Sequence, residues 1–246
     1  MSALLILVSV CHTGGREMFS VAKRIVKAAL LPGNRPRKIL FGAGRGIVLY
    51  ANPKDSAQRY FGLEELEIAK DFVNFAKRSK SFCDIGASDG WYCLLARKHN
   101  PVLQMVAVEP QPRSSALTNL RINHLDRDPT FQWIKACCGS TGRRLDDVLA
   151  GLPQPILLKM DIEGGELDAL STGIRTLRES ECVLIVETHS RELEEKCIEL
   201  LQSINYRVKV IPNGWYRSLI HEQRPAAHNR WFRAVRAPGT WAAIGS

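Results

Sequence analysis

Seven cysteines are scattered through the 246 residues, and no Cys-x-x-Cys pair occurs among them. The odd count, with several thiols inside apolar stretches, argues against a disulfide framework and against structural zinc. It predicts small buried thiols in a reducing compartment, here the cytoplasm. Membrane-spanning length is lacking at the start of the chain. The apolar stretch Ala3–Val10 covers eight residues, too few to cross a bilayer. With no basic run before it, it also makes a poor secretory signal, and translation from Met18 is the alternative it suggests. Internal repeats and low-complexity segments are missing too.

Acidic residues are scarce at the ends. Residues 1–45 carry eight Lys/Arg and one acid, and residues 191–246 carry nine and five. Out of a net charge of +9, that leaves −2 for the middle, residues 46–190. The basic character is peripheral. Peripheral membrane contact through a basic helix over Met18–Leu31 is one reading of it, and a cap packed on the domain is the favoured one. The chain length suits one α/β domain, divided here into a basic extension, 1–45, and a domain, 46–246.

What is present is a rhythm of strand and helix. Ile39–Tyr50 is expected to form a small hairpin and Leu63–Lys77 a helix. Strands are expected at Phe82–Ile85, Leu103–Glu109, Phe131–Cys137, Ile156–Asp161 and Cys182–Glu187. Helices are expected at Trp91–Lys98, from Pro112 to about His124, at Leu145–Leu149, Glu166–Leu177 and Arg191–Ile204. Tyr206–Ile211 and Asn229–Val235 complete a seven-stranded sheet. Such alternation implies a doubly wound, Rossmann-like, mostly parallel sheet with helices on both faces. Ligands of such sheets sit outside the carboxyl ends of the strands.

Those ends are acidic. Asp84, Glu109, Asp161 with Glu163, and Glu187 with His189 collect there. Between Asp84 and Trp91 runs Ile-Gly-Ala-Ser-Asp-Gly, a turn that lacks the uncharged Gly-x-Gly-x-x-Gly of dinucleotide sites. Asp84 and Asp89 would repel a pyrophosphate at the helix N-terminus. They suit a ligand with a cationic head such as S-adenosylmethionine. Gly86 and Gly90 let the backbone approach that ligand, and Glu109, 25 residues after Asp84, can accept both ribose hydroxyls.

With these blocks in view, the chain resembles the FkbM-type S-adenosylmethionine-dependent methyltransferases from Phe61 to about Trp231. The resemblance rests on Phe82-Cys-Asp-Ile-Gly-Ala-Ser-Asp-Gly-Trp-Tyr92, Val106-Ala-Val-Glu-Pro110, Arg144-Leu-Asp-Asp-Val148, Leu158-Lys-Met-Asp-Ile-Glu-Gly-Gly-Glu166 and Val183-Leu-Ile-Val-Glu187 with His189. It implies methyl transfer from S-adenosylmethionine, mainly to hydroxyls of small molecules and sugars. It also implies that Asp84, Gly86, Ala87, Ser88 and Gly90 hold the methionine end. Glu109 would then take the ribose, Ala136 and Cys137 would border the adenine, and Asp161 and Glu163 would line the methyl-transfer side. The stretch between Cys138 and Arg144 is shorter than is common in the family, and Asp89 stands where an apolar residue is usual.

An alcohol acceptor must lose a proton, and His189 is the candidate base; a plain helix N-terminal residue is the alternative. No metal is expected, although Asp161, Glu163 and His189 could together bind a divalent ion. Lys159 is expected in a buried ion pair. Glu166 works in the site or favours its helix N-terminus. The partner is a small-molecule or glycan acceptor. Nitrogen methylation of RNA or protein and a non-catalytic cofactor-binding homologue are the alternatives. No Asn-Pro-Pro-Tyr-like motif supports the former, and nucleic acid is not expected.

Overall fold

The computed structural model describes residues 35–50, 58–214 and 228–236. The helix expected over Met18–Leu31 lies outside them. A hairpin of β1 (Pro36–Lys38) and β2 (Val48–Tyr50) comes first. Helix α1 (Leu66–Arg78), β3 (Ser81–Ile85), α2 (Trp91–His99), β4 (Gln104–Val108), α3 (Ala116–Ile122) and β5 (Phe131–Ile134) follow. Then come α4 (Leu145–Leu149), β6 (Ile156–Met160), α5 (Glu166–Ser171), α6 (Ile174–Glu179) and β7 (Cys182–Thr188). Helix α7 (Arg191–Ser203), β8 (Tyr206–Ile211) and β9 (Arg230–Arg236) complete the described elements.

The large sheet has the order β5-β4-β3-β6-β7-β9-β8. The first five strands run parallel, and β9 lies antiparallel between β7 and β8. The order turns outward in both directions from the β3–β6 pair. Ligands bind at such a switch point, beyond the carboxyl ends of the strands.

Strand periodicity divides the core between the two faces. Phe82, Leu157, Val183, Ile185 and Trp231 face one layer with Ile68, Phe72 and Phe75 of α1 and Leu94 and Leu95 of α2. Cys83, Ile85, Leu158, Met160, Leu184, Val186 and Phe232 face the other, with Leu145, Leu170, Leu177 and Leu201. By the same alternation Asp84 and Lys159 fall on the α1 and α2 side. Registration of β3 on β6 then sets them directly opposite each other.

Several boundaries differ from the sequence reading. The third strand ends at Ile134, and the helix after Pro112 begins only at Ala116. The single helix expected over Glu166–Leu177 is two. Thr172 ends the first: its backbone N–H bonds back to Asp168 and Ala169, while its Oγ1 accepts the Leu145 N–H at 2.9 Å. Gly173 follows, so close to the Leu145 side chain that an added Cβ would lie 2.6 Å from Cδ2. The position 45 division falls in the hairpin's loop, and Ile39, Ile47 and Leu49 join the same core layer as α1.

Candidate functional site

Two groups of polar side chains line the carboxyl edge. The first surrounds the turn after β3. Gly86 and Ala87 direct their N–H groups at the Val108 carbonyl, 2.9 and 3.3 Å away, tying the turn to the end of β4. Gly86 has φ +81°, and a Cβ there would overlap the Asp161 carbonyl oxygen. The neighbouring strand's exit thus by itself demands glycine at this position. Gly90, at φ +80°, opens α2.

Glu109 stands just past β4, half-buried. One carboxylate oxygen accepts the Ser88 N–H at 2.9 Å and the other the Gln111 N–H at 2.8 Å. Each oxygen keeps a second lone pair, which a ribose hydroxyl can use. Across from it Ala136 is half-buried and Cys137 exposed. The short stretch after Cys138 closes as a tight turn: Arg143 N–H bonds the Cys137 carbonyl at 2.8 Å, and Asp168 accepts the Ser140 N–H at 2.8 Å.

Asp84 does not present an open charge. It is fully buried, its Oδ1 lies 3.4 Å from Lys159 Nζ, and Cys93 Sγ approaches Oδ2 at 3.5 Å. Burial pushes its pKa up, against the pull of Lys159. Asp89 is likewise buried and paired with Arg59, which also bonds Glu64 at 2.8 Å and lies over the Trp91 ring. Each of the two aspartates thus lies beside a buried cation, Asp84 beside Lys159 and Asp89 beside Arg59. Lys159 is buried among Asp84, Asp161 (3.6 Å), the Gly86 carbonyl (3.4 Å) and the Tyr92 ring. Burial works to lower its pKa, but Asp84, Asp161 and Glu65 outweigh it and hold the value above that of an ordinary lysine.

Glu65 escaped the sequence reading. It sits at the N-terminus of α1 with φ 45°, a left-handed conformation rare for a side-chain-bearing residue. Tyr92 Oη hydrogen-bonds to it. Burial, then Glu64 and Asp161, push its pKa up to about 7, against Lys159 and Tyr92. Only the unusual backbone marks the position, and sequence periodicity does not carry that signal.

The second group lies at the ends of β6 and β7. His189 follows β7 and immediately precedes the Ser190 cap of α7. Its Nδ1 is 2.5 Å from Glu166 Oε1, and its Nε2 faces Asp161 at 3.5 Å and Glu187 at 3.9 Å. Glu166 is fully buried and also accepts the Gly164 N–H at 3.2 Å. Burial works to lower the His189 pKa, but Glu166, then Asp161 and Glu163, overcome it and raise the value. A ring held toward its protonated form binds a proton more tightly than a free imidazole, and is less available to take one from an acceptor. One ligand atom each from Asp161, Glu187 and His189 fall within 4.8 Å of one another. Glu163 is exposed and outside that group.

A doubly wound, mostly parallel sheet with its last strand reversed is the class I, Rossmann-like methyltransferase fold. Residues 137–209 match the family model of the methyltransferase FkbM domain. A methyltransferase FkbM from Methylobacillus flagellatus KT is similar at 20% identity, over 63% of this chain and 43% of that one, with a TM-score of 0.50. This chain therefore spans less than half the length of that relative. A precorrin-6y C5,15-methyltransferase from Geobacter metallireducens GS-15 is 18% identical over 68% of this chain and 87% of that one, with a TM-score of 0.47. No curated protein matches.

Proposed function

We propose that the domain methylates a hydroxyl oxygen on a small molecule or sugar. The observation that carries this reading is the convergence of Asp161, Glu187 and His189 at the β6–β7 edge, beside the turn and the Glu109 carboxylate that suit the donor. S-adenosylmethionine, when bound, supplies an electrophilic methyl carbon. Glu109 holds the ribose, and the Gly86–Gly90 turn, with Glu65 and Lys159 behind it, shapes the methionine end. Asp161 and His189 orient the acceptor oxygen, whose proton leaves to solvent. Placing the oxygen in line with the methyl carbon supplies several kcal/mol through proximity, out of roughly 7–11 kcal/mol reachable by ideal orientation.

The acceptor is a small molecule or glycan. A reducing, cytoplasmic setting agrees with six free cysteines among the described residues, four of them buried. The reading is tested by calorimetry with S-adenosylmethionine, followed by a methyl-transfer screen over hydroxylated metabolites and sugars. The expected result is saturable donor binding that Glu109→Ala weakens about tenfold, ~1.4 kcal/mol, as lost hydrogen bonds to an ionised group predict. Absence of donor binding at millimolar concentration overturns the reading.

A further inference from the structure

We propose that Asp161, Glu187 and His189 form a divalent-cation site that fixes an acceptor bearing two neighbouring oxygens, such as a vicinal diol or an α-hydroxy acid. The catalytic part of this inference rests on the hydroxyl-methylation reading above; the cation site itself stands on geometry. The three side chains come from the ends of two adjacent strands, and their ligand atoms lie within 4.8 Å of one another. Octahedral coordination with bonds of about 2.1 Å places adjacent ligand atoms roughly 3 Å apart. The observed separations from His189 Nε2, 3.5 Å to Asp161 and 3.9 Å to Glu187, need a contraction of less than about one ångström to meet that shell.

The imidazole is prepared as a ligand. Nδ1 faces Glu166 and Nε2 faces the two carboxylates, so an ion bound at Nε2 takes the tautomer in which Nδ1–H donates to Glu166. A carboxylate behind the ring is the usual support of a metal-bound histidine. Glu166 is fully buried, and its other oxygen, Oε2, has no hydrogen-bond partner among the described residues. Its charge is thus committed to orienting this one ring and the Gly164 N–H. Glu187 is also buried, 3% exposed. Asp161, with its side chain 28% exposed, opens the cluster to solvent and to an entering ion. Lys159 is the nearby ammonium, 3.6 Å from Asp161, but it is shared with Asp84 and lies against the opposite carboxylate oxygen, Oδ2.

Two carboxylates and an imidazole favour Mn2+ or a similar hard-to-borderline ion. Three protein ligands leave three octahedral positions. Two neighbouring acceptor oxygens fill two of them, which fixes the reacting oxygen at one place on the edge. Coordination acidifies that hydroxyl. Its proton passes to solvent while the oxygen lone pair forms the bond to the methyl carbon and sulfur keeps the carbon–sulfur pair. His189 is then a ligand and not the base.

The test uses the full chain, stripped with a chelator and titrated calorimetrically with MnCl2 and, separately, with S-adenosylmethionine. The expected result is one Mn2+ per chain, lost in His189→Ala and in Asp161→Asn, and weakened about 10- to 100-fold in Glu166→Gln. Donor binding by each variant shows that it is folded. Mn2+ bound equally well by wild type and all three variants, or not bound at 1 mM (on the order of the weakest useful sites) by protein that binds the donor, overturns the cation site and leaves the methyltransferase reading standing. Mn2+ bound as expected by protein that does not bind the donor upholds the site and overturns that reading instead.

Discussion

The two halves of the carboxyl edge treat charge in opposite ways. On the β3–β4 side two buried carboxylates lie against buried cations: Asp84 against Lys159, and Asp89 against Arg59. On the β6–β7 side Asp161, Glu166 and Glu187 converge on one imidazole. The first arrangement is self-sufficient and supports structure. The second gathers carboxylates round a single ring, with Asp161, Glu187 and His189 close enough to hold one ion. Acidic residues near a ligand-binding turn thus do not by themselves report on the ligand's charge; what each is already paired with decides.

The comparison breaks most visibly at Lys159. Replacing it by Met leaves Asp84 buried without its cation, and denaturant unfolding should show a loss of roughly 3–5 kcal/mol. The double change Lys159→Met with Asp84→Asn should recover much of it. An equally large loss in the double variant would mean that the pair's packing, not its charge, matters. On the other side, His189→Ala should lower methyl transfer by roughly 100-fold through loss of acceptor positioning, measured as initial rates with an acceptor from the screen.

How much of this was legible beforehand follows from what each residue depends on. Strand β8 and helix α4 matched their expected ranges, and β3, β6 and β7 were within one residue, because buried parallel strands read as short apolar runs. The break at Thr172-Gly173 was hidden, since apolar spacing continues through it while the stop comes from contacts with Leu145. Glu109, Asp161 and His189 were found because strand ends are where ligands bind. The pairing of Asp84 with Lys159 depends on register between β3 and β6, 75 residues apart. Glu65 and Arg59 come from the segment before α1 and fold over the turn, a contact that no local pattern encodes. Glu187 was visible as a strand-end acid, but its place in the cluster, in preference to Glu163, required the fold.

A smaller effect sharpens the boundary between the halves. Glu65, with a pKa of about 7, is packed against Tyr92 and feels Glu64, Asp161 and Lys159. A carboxyl whose folded pKa is raised binds its proton more tightly folded than unfolded. Its contribution is therefore present below about pH 4.5 and is lost as pH rises to about 7, by up to roughly 3 kcal/mol. Glu65→Gln should flatten that decline in stability measured across the same window; an unchanged pH profile would remove Glu65 from the account. The smallest effect is expected at exposed Glu163. Glu163→Ala should leave stability within about 0.5 kcal/mol and Mn2+ affinity within about threefold (~0.7 kcal/mol), by calorimetry.

The central claim, a donor half and an acceptor half on one sheet edge, is tested most directly by titrating S-adenosylmethionine into Glu109→Ala and His189→Ala side by side. The account predicts that Glu109→Ala binds the donor about tenfold more weakly, while His189→Ala stays within about threefold of the wild type. Unaltered binding by Glu109→Ala together with lost binding by His189→Ala would contradict it.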